Sequence, residues 1–129
     1  MSSSRVKSIA GCSVLLVEDE SLVAALAEDI LLDAGCRVLL AMRLDEALNL
    51  ARASKVQLGI LDVNLGEGRS YPVADLLQAR SIPFIFATGY GRDGLDEVYK
   101  GVPVIQKPYR ADELLSCAFE AISDLGSQR

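Results

Sequence analysis

Short apolar runs alternate along the chain with longer stretches in which apolar residues recur every three or four positions. Each short run predicts a buried strand, and the five runs cover residues 13–17, 37–41, 57–62, 83–88 and 102–106. The longer stretches predict amphipathic helices, over residues 21–35, 45–53, 70–80 and 111–125. In the first helix, the predicted buried face carries Leu22, Leu26, Ile30 and Leu31.

This alternation predicts an α/β fold with a parallel sheet covered by helices on both faces. Five strands favour a flavodoxin-like, doubly wound sheet with strand order 2-1-3-4-5 over a six-stranded Rossmann sheet. Three glycines lie between positions 89 and 94, so we expect the helix before Gly101 to be short or mobile. Residues 1–10 are polar and serine-rich and predict a flexible arm, which leaves one domain over residues 11–129.

Composition and charge narrow the classes of function. The chain has 129 residues, 50% of them hydrophobic, yet no apolar run approaches the ~20 residues of a membrane span. A net charge of −5 without a basic patch argues against a nucleic-acid partner. No signal peptide is evident, and Cys12, Cys36 and Cys117 are widely spaced in a chain without histidine. We therefore expect a cytoplasmic protein with reduced thiols and neither a disulfide framework nor a zinc site.

Polar groups stand at the carboxyl ends of four predicted strands, at the sheet edge where open α/β proteins bind ligands. Glu18 and Asp19 follow the first strand, and Asp62 ends the third. Thr88 ends the fourth strand, and Lys107 follows the fifth. Each residue alone has a structural explanation, such as a turn or a charged helix start. Together they favour one site, in which a carboxylate nucleophile that can form an acyl phosphate lies beside a bound Mg²⁺.

The chain resembles the receiver domain of two-component response regulators over residues 12–126. The matching segments are Val17-Glu18-Asp19-Glu20, Leu61-Asp62-Val63-Asn64-Leu65, Ala87-Thr88-Gly89 and Gln106-Lys107-Pro108. The resemblance implies that Glu18, Asp19 and Asp62 bind Mg²⁺ together with the backbone carbonyl of Asn64. It further implies that Asp62 accepts a phosphoryl group from a phosphohistidine, and that Thr88 and Lys107 contact the phosphoryl oxygens. A cis peptide bond is implied at Lys107-Pro108.

Two features separate the chain from the commonest receivers. Position 104 is valine, where receivers usually carry a tyrosine or phenylalanine that rotates on activation. The run from Phe86 to Tyr90 instead resembles a receiver subgroup with a Phe-Ala-Thr-Gly-x-Tyr signature, with one residue fewer before the tyrosine. One hypothesis is that phosphorylation orders residues 89–99 and moves Tyr90; the alternative is that Tyr90 is a surface aromatic in a mobile loop. Glu18 stands where aspartate is more frequent.

The predicted function is that of a stand-alone receiver in a phosphorelay, rather than an enzyme acting on other substrates. A sensor histidine kinase or histidine phosphotransfer protein would donate the phosphoryl group. Output would pass to a downstream protein partner, with no membrane or nucleic acid involved. The alternatives are a phosphatase with an aspartyl nucleophile and a receiver-like module that binds partners without phosphorylation. Asn64 cannot titrate as the second acid of such a phosphatase, and the complete set of site residues argues against the binding module.

Overall fold

The computed structural model describes residues 8–89 and 95–127, with side chains described as far as residue 123. Its strands are β1 (Ser13–Val17), β2 (Arg37–Ala41), β3 (Leu58–Asp62), β4 (Asn64–Leu65), β5 (Gly68–Arg69), β6 (Phe84–Thr88) and β7 (Val104–Gln106). Five of them form a parallel sheet in the order β2-β1-β3-β6-β7, which is 2-1-3-4-5 when those five are counted along the chain. The predicted flavodoxin-like fold and strand order are confirmed.

The helices are α1 (Ser21–Asp33), α2 (Leu44–Ala53), α3 (Tyr71–Ala79) and α4 (Ala111–Ser127). Between β6 and β7, the described residues form only a 3-10 helix over Glu97–Tyr99, in agreement with the short helix that the glycines predict. The last strand begins at Val104 rather than Val102, because Val102 donates its N–H to Tyr99 in a turn and Pro103 has no N–H. In the described ranges, none of the helices is long and apolar enough to cross a bilayer.

Side chains from alternate positions of each strand point to opposite faces of the sheet and build two cores. We call the first the α1/α4 core, which joins strand residues such as Val14 and Leu16 to Ala27, Leu31, Leu114 and Ala118. We call the second the α2/α3 core, which joins Leu15 and Val17 to Ala47, Ala51, Val73 and Leu77. Both faces of the central strands β1 and β3 are therefore buried, and their ends are held rigidly.

The predicted buried face of α1 is wrong at two positions. Leu22 and Leu26 are 86% and 42% exposed, whereas Ala24, Ala27 and Leu31 are buried. These three residues follow the same helical period, and the two alanines let the helix axis lie close to the sheet. Leu31 of the predicted face is buried and Ile30 packs against the α1/α4 core, so the prediction failed only at Leu22 and Leu26, in a helix that is apolar on more than one side.

The boundary of the predicted amino-terminal arm at residue 10 is also wrong for its last residues. Ile9 is 4% exposed and belongs to the α1/α4 core. The N–H of Gly11 donates to the carbonyl oxygen of Gly35 at 2.9 Å, which fixes this segment against the turn after α1. A single apolar residue ahead of the first strand thus fills the amino end of the sheet, and the folded domain begins earlier than position 11.

Candidate functional site

Three carboxylates meet at the carboxyl edge of the sheet. The register pairs Val17 of β1 with Leu61 of β3, so Glu18 and Asp62 leave neighbouring strands at the same level. Glu18 is fully buried and Asp62 is 3% exposed. One oxygen atom from each of Glu18, Asp19 and Asp62 lies within 4.8 Å of the other two. An all-oxygen, anionic donor set of this size fits a hard divalent cation such as Mg²⁺.

Lys107 reaches the acidic cluster from the end of β7. Its Nζ atom lies 3.0 Å from Asp62 Oδ2 and 3.2 Å from both carboxylate oxygens of Glu18. It also lies 3.3 Å from Glu20 Oε1, a contact that the sequence did not predict. The Lys107-Pro108 peptide bond is cis, as the resemblance implied. The ammonium group therefore contacts three carboxylates and stands directly beside the oxygen of Asp62.

Burial and mutual repulsion change the ionisation of this cluster. Loss of hydration, followed by the hydrogen bond and charge of Asp62, raises the pKa of Glu18 from 4.5 to about 7. Burial opposes the charge of Lys107, but hydrogen bonding and attraction to Asp62 and Glu18 outweigh it and raise the pKa of the lysine. Lys107 thus stays protonated at neutral pH, whereas the raised pKa of Glu18 makes this buried carboxylate easier to protonate than an exposed glutamate.

Tyr109 contacts the buried Glu18 and was not among the site residues predicted from the sequence. Its ring is buried, and its hydroxyl lies 3.4 Å from Glu18 Oε1, to which it donates. Burial and the nearby charge of Glu18 raise the pKa of this phenol, which therefore remains a donor. The signal available in the sequence was its position, two residues after Lys107 in a Lys-Pro-Tyr run.

A small antiparallel hairpin, β4 paired with β5, follows β3. Asn64 begins the hairpin, is exposed, and donates its N–H to Asp62 Oδ1 at 3.3 Å. The N–H of Gly66 donates to Asp19 Oδ2 at 2.6 Å. The carboxylate of Glu67 accepts a hydrogen bond from the N–H of Leu44, the first residue of α2. The hairpin is therefore tied to a carboxylate of the acidic cluster and to a helix start.

Thr88 ends β6 and is 2% exposed. The register pairs Ala87 with Asp62, so Thr88 stands one residue further along the neighbouring strand. Asp19, Asp62, Asn64 and Lys107 line a pocket of about 390 Å³ that opens at this edge. The structure thus brings the predicted residues to one edge of the sheet, and the pocket can accommodate a phosphoryl group beside Asp62.

An aromatic cluster that was not predicted from the sequence includes Phe86 of β6, two residues before Thr88. Tyr99 stacks on Tyr71 with ring centroids 4.4 Å apart and meets Phe86 edge to face at 5.4 Å. The hydroxyl of Tyr99 donates to Asp75 at 2.7 Å. Val104 pairs with Phe86 across the sheet and packs against the same core. Tyr90, which the sequence suggested as the mobile aromatic, lies outside the described residues.

This five-stranded α/β sheet carries Asp62, the acidic pair Glu18 and Asp19, and Lys107 at one edge, which is the arrangement of a signal-receiver module. A family model for the response regulator receiver domain matches residues 14–118. The chain belongs to this family. Receiver domains are signalling modules of two-component systems and typically bind Mg²⁺ at such an acidic pocket. No sequence among the curated proteins matches the chain.

Solved structures from several organisms share the fold. A CheY-like response regulator receiver domain protein from Methanospirillum hungatei JF-1 is 20% identical with a TM-score of 0.81, and the match covers 93% of this chain and 100% of that one. The amino-terminal domain of a response regulator/sensory box/GGDEF protein from Carboxydothermus hydrogenoformans is 23% identical, with a TM-score of 0.80 and coverages of 90% and 98%. Anti-anti-sigma factor PhyR from Bartonella quintana is 24% identical with a TM-score of 0.79, over 91% of this chain but 50% of that one.

Proposed function

We propose that the chain is a phosphoacceptor of a two-component phosphorelay, in which Asp62 takes a phosphoryl group from a phosphohistidine. The donor would be a sensor histidine kinase or a histidine phosphotransfer protein. The observation that carries this proposal is the placement of the Asp62 carboxylate, which lies 3.0 Å from the Lys107 ammonium and within the cluster formed by Glu18 and Asp19. The nucleophile and the groups that would neutralise the transferred charge are thus already assembled.

The transfer exchanges one bond for another at phosphorus. An oxygen of Asp62 forms the new phosphorus–oxygen bond while the phosphorus–nitrogen bond to the donor histidine breaks. Lys107 offsets the negative charge of the phosphoryl oxygens, and the hydroxyl of Thr88 donates a hydrogen bond to one of them. Glu18, Asp19 and Asp62, with the backbone carbonyl of Asn64, would hold Mg²⁺, which supplies further positive charge to the same oxygens.

Output would follow from contact with a downstream protein or from onward transfer of the phosphoryl group. The chain would act without turning over an external substrate. The phosphatase alternative is disfavoured because Asn64 occupies the place of a titrating acid, and the binding-module alternative because every group needed for acyl phosphate chemistry is present. The proposal therefore assigns Asp62 as the nucleophile and the carboxyl edge of the sheet as the reactive surface.

The test is phosphorylation with a small-molecule phosphodonor and Mg²⁺, followed by intact-mass measurement. We expect one acid-stable, base-labile phosphoryl group on the wild-type protein and none on Asp62→Asn. Asp33→Asn, an exposed position at the end of α1, is the matched control and should be phosphorylated normally. An adduct of unchanged yield on Asp62→Asn would refute the assignment, and steady turnover of phosphomonoesters would favour the phosphatase.

A further inference from the structure

Two cysteines that are far apart in the sequence lie side by side at the amino ends of β1 and β2. The ladder between these strands begins with Ser13 opposite Arg37. The N–H of Arg37 also donates to the carbonyl oxygen of Cys12 at 2.8 Å. In a parallel ladder, an N–H group donates to the carbonyl of the residue just before its own partner, so this hydrogen bond agrees with Arg37 being paired with Ser13. One residue earlier in each strand, Cys36 stands opposite Cys12. Cys12 and Cys36 are therefore direct cross-strand neighbours, one step before the first pair of the ladder.

The side chains of this pair lie on the same face of the sheet. Cys36 is 6% exposed within the α1/α4 core, and Cys12 packs against that core while remaining partly accessible. Their position in the strands matches that of Val14 and Val38, two residues further on, which face the same core. Neighbouring strands are about 4.8 Å apart, which falls within the range of about 4.4–6.8 Å between the Cα atoms of disulfide-bonded cysteines.

From this geometry we propose that Cys12 and Cys36 are a redox-sensitive pair that closes to a cross-strand disulfide in the presence of a hydroperoxide. The partly accessible Cys12 thiolate attacks the peroxide, takes one oxygen atom to become a sulfenic acid, and releases an alcohol or water. The thiol of Cys36 then attacks that sulfur, and the second step releases water as the S–S bond forms. The two cysteines lose two electrons in total, and the hydroperoxide gains them.

The surroundings of the two sulfurs assign this order. The Cys36 Sγ atom lies 3.5 Å from the carbonyl oxygen of Ile9, to which it donates, and is shielded by the core. Burial, reinforced by the neighbouring Cys12, raises the pKa of the Cys36 thiol, so this sulfur is a poor first nucleophile. The sulfur that solvent reaches is oxidised first, and the buried neighbour resolves it. This pair lies at the sheet edge opposite Asp62, so the proposal does not depend on the phosphoryl chemistry.

Cys117 on α4 provides an internal control, because it also packs against the α1/α4 core but has no strand register with either partner. The native protein is treated with hydrogen peroxide, then denatured in the presence of an alkylating reagent so that every free thiol, including the buried Cys36, is blocked. The product is examined by intact mass and a non-reducing peptide map. We expect a loss of two hydrogen atoms, a peptide linking Cys12 to Cys36, and alkylation of Cys117 alone. The same link should form in Cys117→Ser and be absent from Cys12→Ser and Cys36→Ser.

Three results of this experiment would contradict a disulfide between Cys12 and Cys36. Linkage of Cys117 to either cysteine, a covalent dimer through Cys12, or oxygenated Cys12 that leaves the Cys36 thiol intact would each overturn the proposal. Because Cys36→Ser places a hydroxyl in the core, Cys12→Ser at the partly exposed position provides a variant that keeps the buried residue. Reduction of the oxidised protein with a dithiol should restore all three alkylatable cysteines, and a failure to do so would also count against a disulfide.

Discussion

The ionisation of Glu18 predicts an unusual pH dependence of stability for the metal-free protein. The folded state raises its pKa from 4.5 to about 7, chiefly through burial and the neighbouring Asp62. Because the folded state binds this proton more tightly than the unfolded chain, its contribution is present in full below the unfolded pKa and is lost as pH rises through 7. A shift of that size corresponds to about 3 kcal/mol of unfolding free energy between pH 4.5 and 7.5.

Glu18→Gln isolates this contribution, because glutamine resembles the protonated acid in size and hydrogen bonding and does not titrate. In urea unfolding experiments with a chelator, we expect the variant to be more stable than the wild type by less than about 1 kcal/mol near pH 5, where most of the contribution of the protonated Glu18 remains. At pH 7.5 the variant should be more stable by about 3 kcal/mol, the full cost of ionising the buried carboxyl. Lys107, whose pKa is raised, stays protonated throughout this range and does not contribute to the difference.

Glu120→Gln, an exposed position on α4, is the matched control and should leave the difference between pH 5 and pH 7.5 unchanged. The reasoning fails if Glu18→Gln and the wild type show parallel pH profiles, or if the variant is the less stable protein at pH 7.5 without metal. Mg²⁺ at about 1,000 times its Kd should reverse the ranking at that pH, because a cation that binds only the folded, ionised site stabilises it by about 4 kcal/mol through mass action.

Two further perturbations test the site and the packing that holds it. Asp19→Asn should weaken Mg²⁺ binding about tenfold or more, since the attraction between a carboxylate and a doubly charged ion, ~2–8 kcal/mol at about 4 Å, is lost. The amide oxygen of the variant can still accept from Gly66. Unchanged affinity by calorimetric titration would exclude Asp19 as a ligand. Gly59→Ala places a Cβ 2.5 Å from Leu77 Cδ1 in the α2/α3 core and should cost about 1–3 kcal/mol by urea unfolding. Gly101→Ala, where the added Cβ meets no atom within 4 Å, is its control, and equal losses in the two variants would refute the packing argument.

The sequence predicted the sheet well because each of its strands leaves a strong local signal. β3 and β6 are buried at every residue, so they appear as continuous apolar runs that end abruptly in Asp62 and Thr88. In a parallel sheet the carboxyl ends of all strands lie at the same edge, so the topology alone predicts that Glu18, Asp62 and Lys107 lie close together there, as they do. The prediction of which apolar residues of α1 are buried failed in part: Leu22 is exposed and Ala24 is buried. How closely a helix packs against a sheet depends on the tertiary structure, so the local sequence does not determine which of these two residues faces the core.

The supporting contacts could not be predicted because they join segments with no local relation. Gly66 donates to Asp19 across a long sequence separation, and Leu44 donates to Glu67 from the start of α2. A hairpin of two residues per strand has too short an alternating pattern to be recognised. The pairing of Tyr71 with Tyr99 likewise depends on how the chain after β6 returns to the sheet.

That hairpin connects the acidic cluster to the rest of the domain. Asp19 is at once a member of the acidic cluster and the acceptor for Gly66, so its carboxylate joins the cluster to the hairpin backbone. At the far end of the hairpin, Arg69 lies over the ring of Tyr71, 5.8 Å from its centroid. Tyr71 in turn accepts the N–H of Asp96 and stacks on Tyr99. A continuous set of contacts therefore runs from the acidic cluster to the segment before β7, although Val104 has no ring of its own.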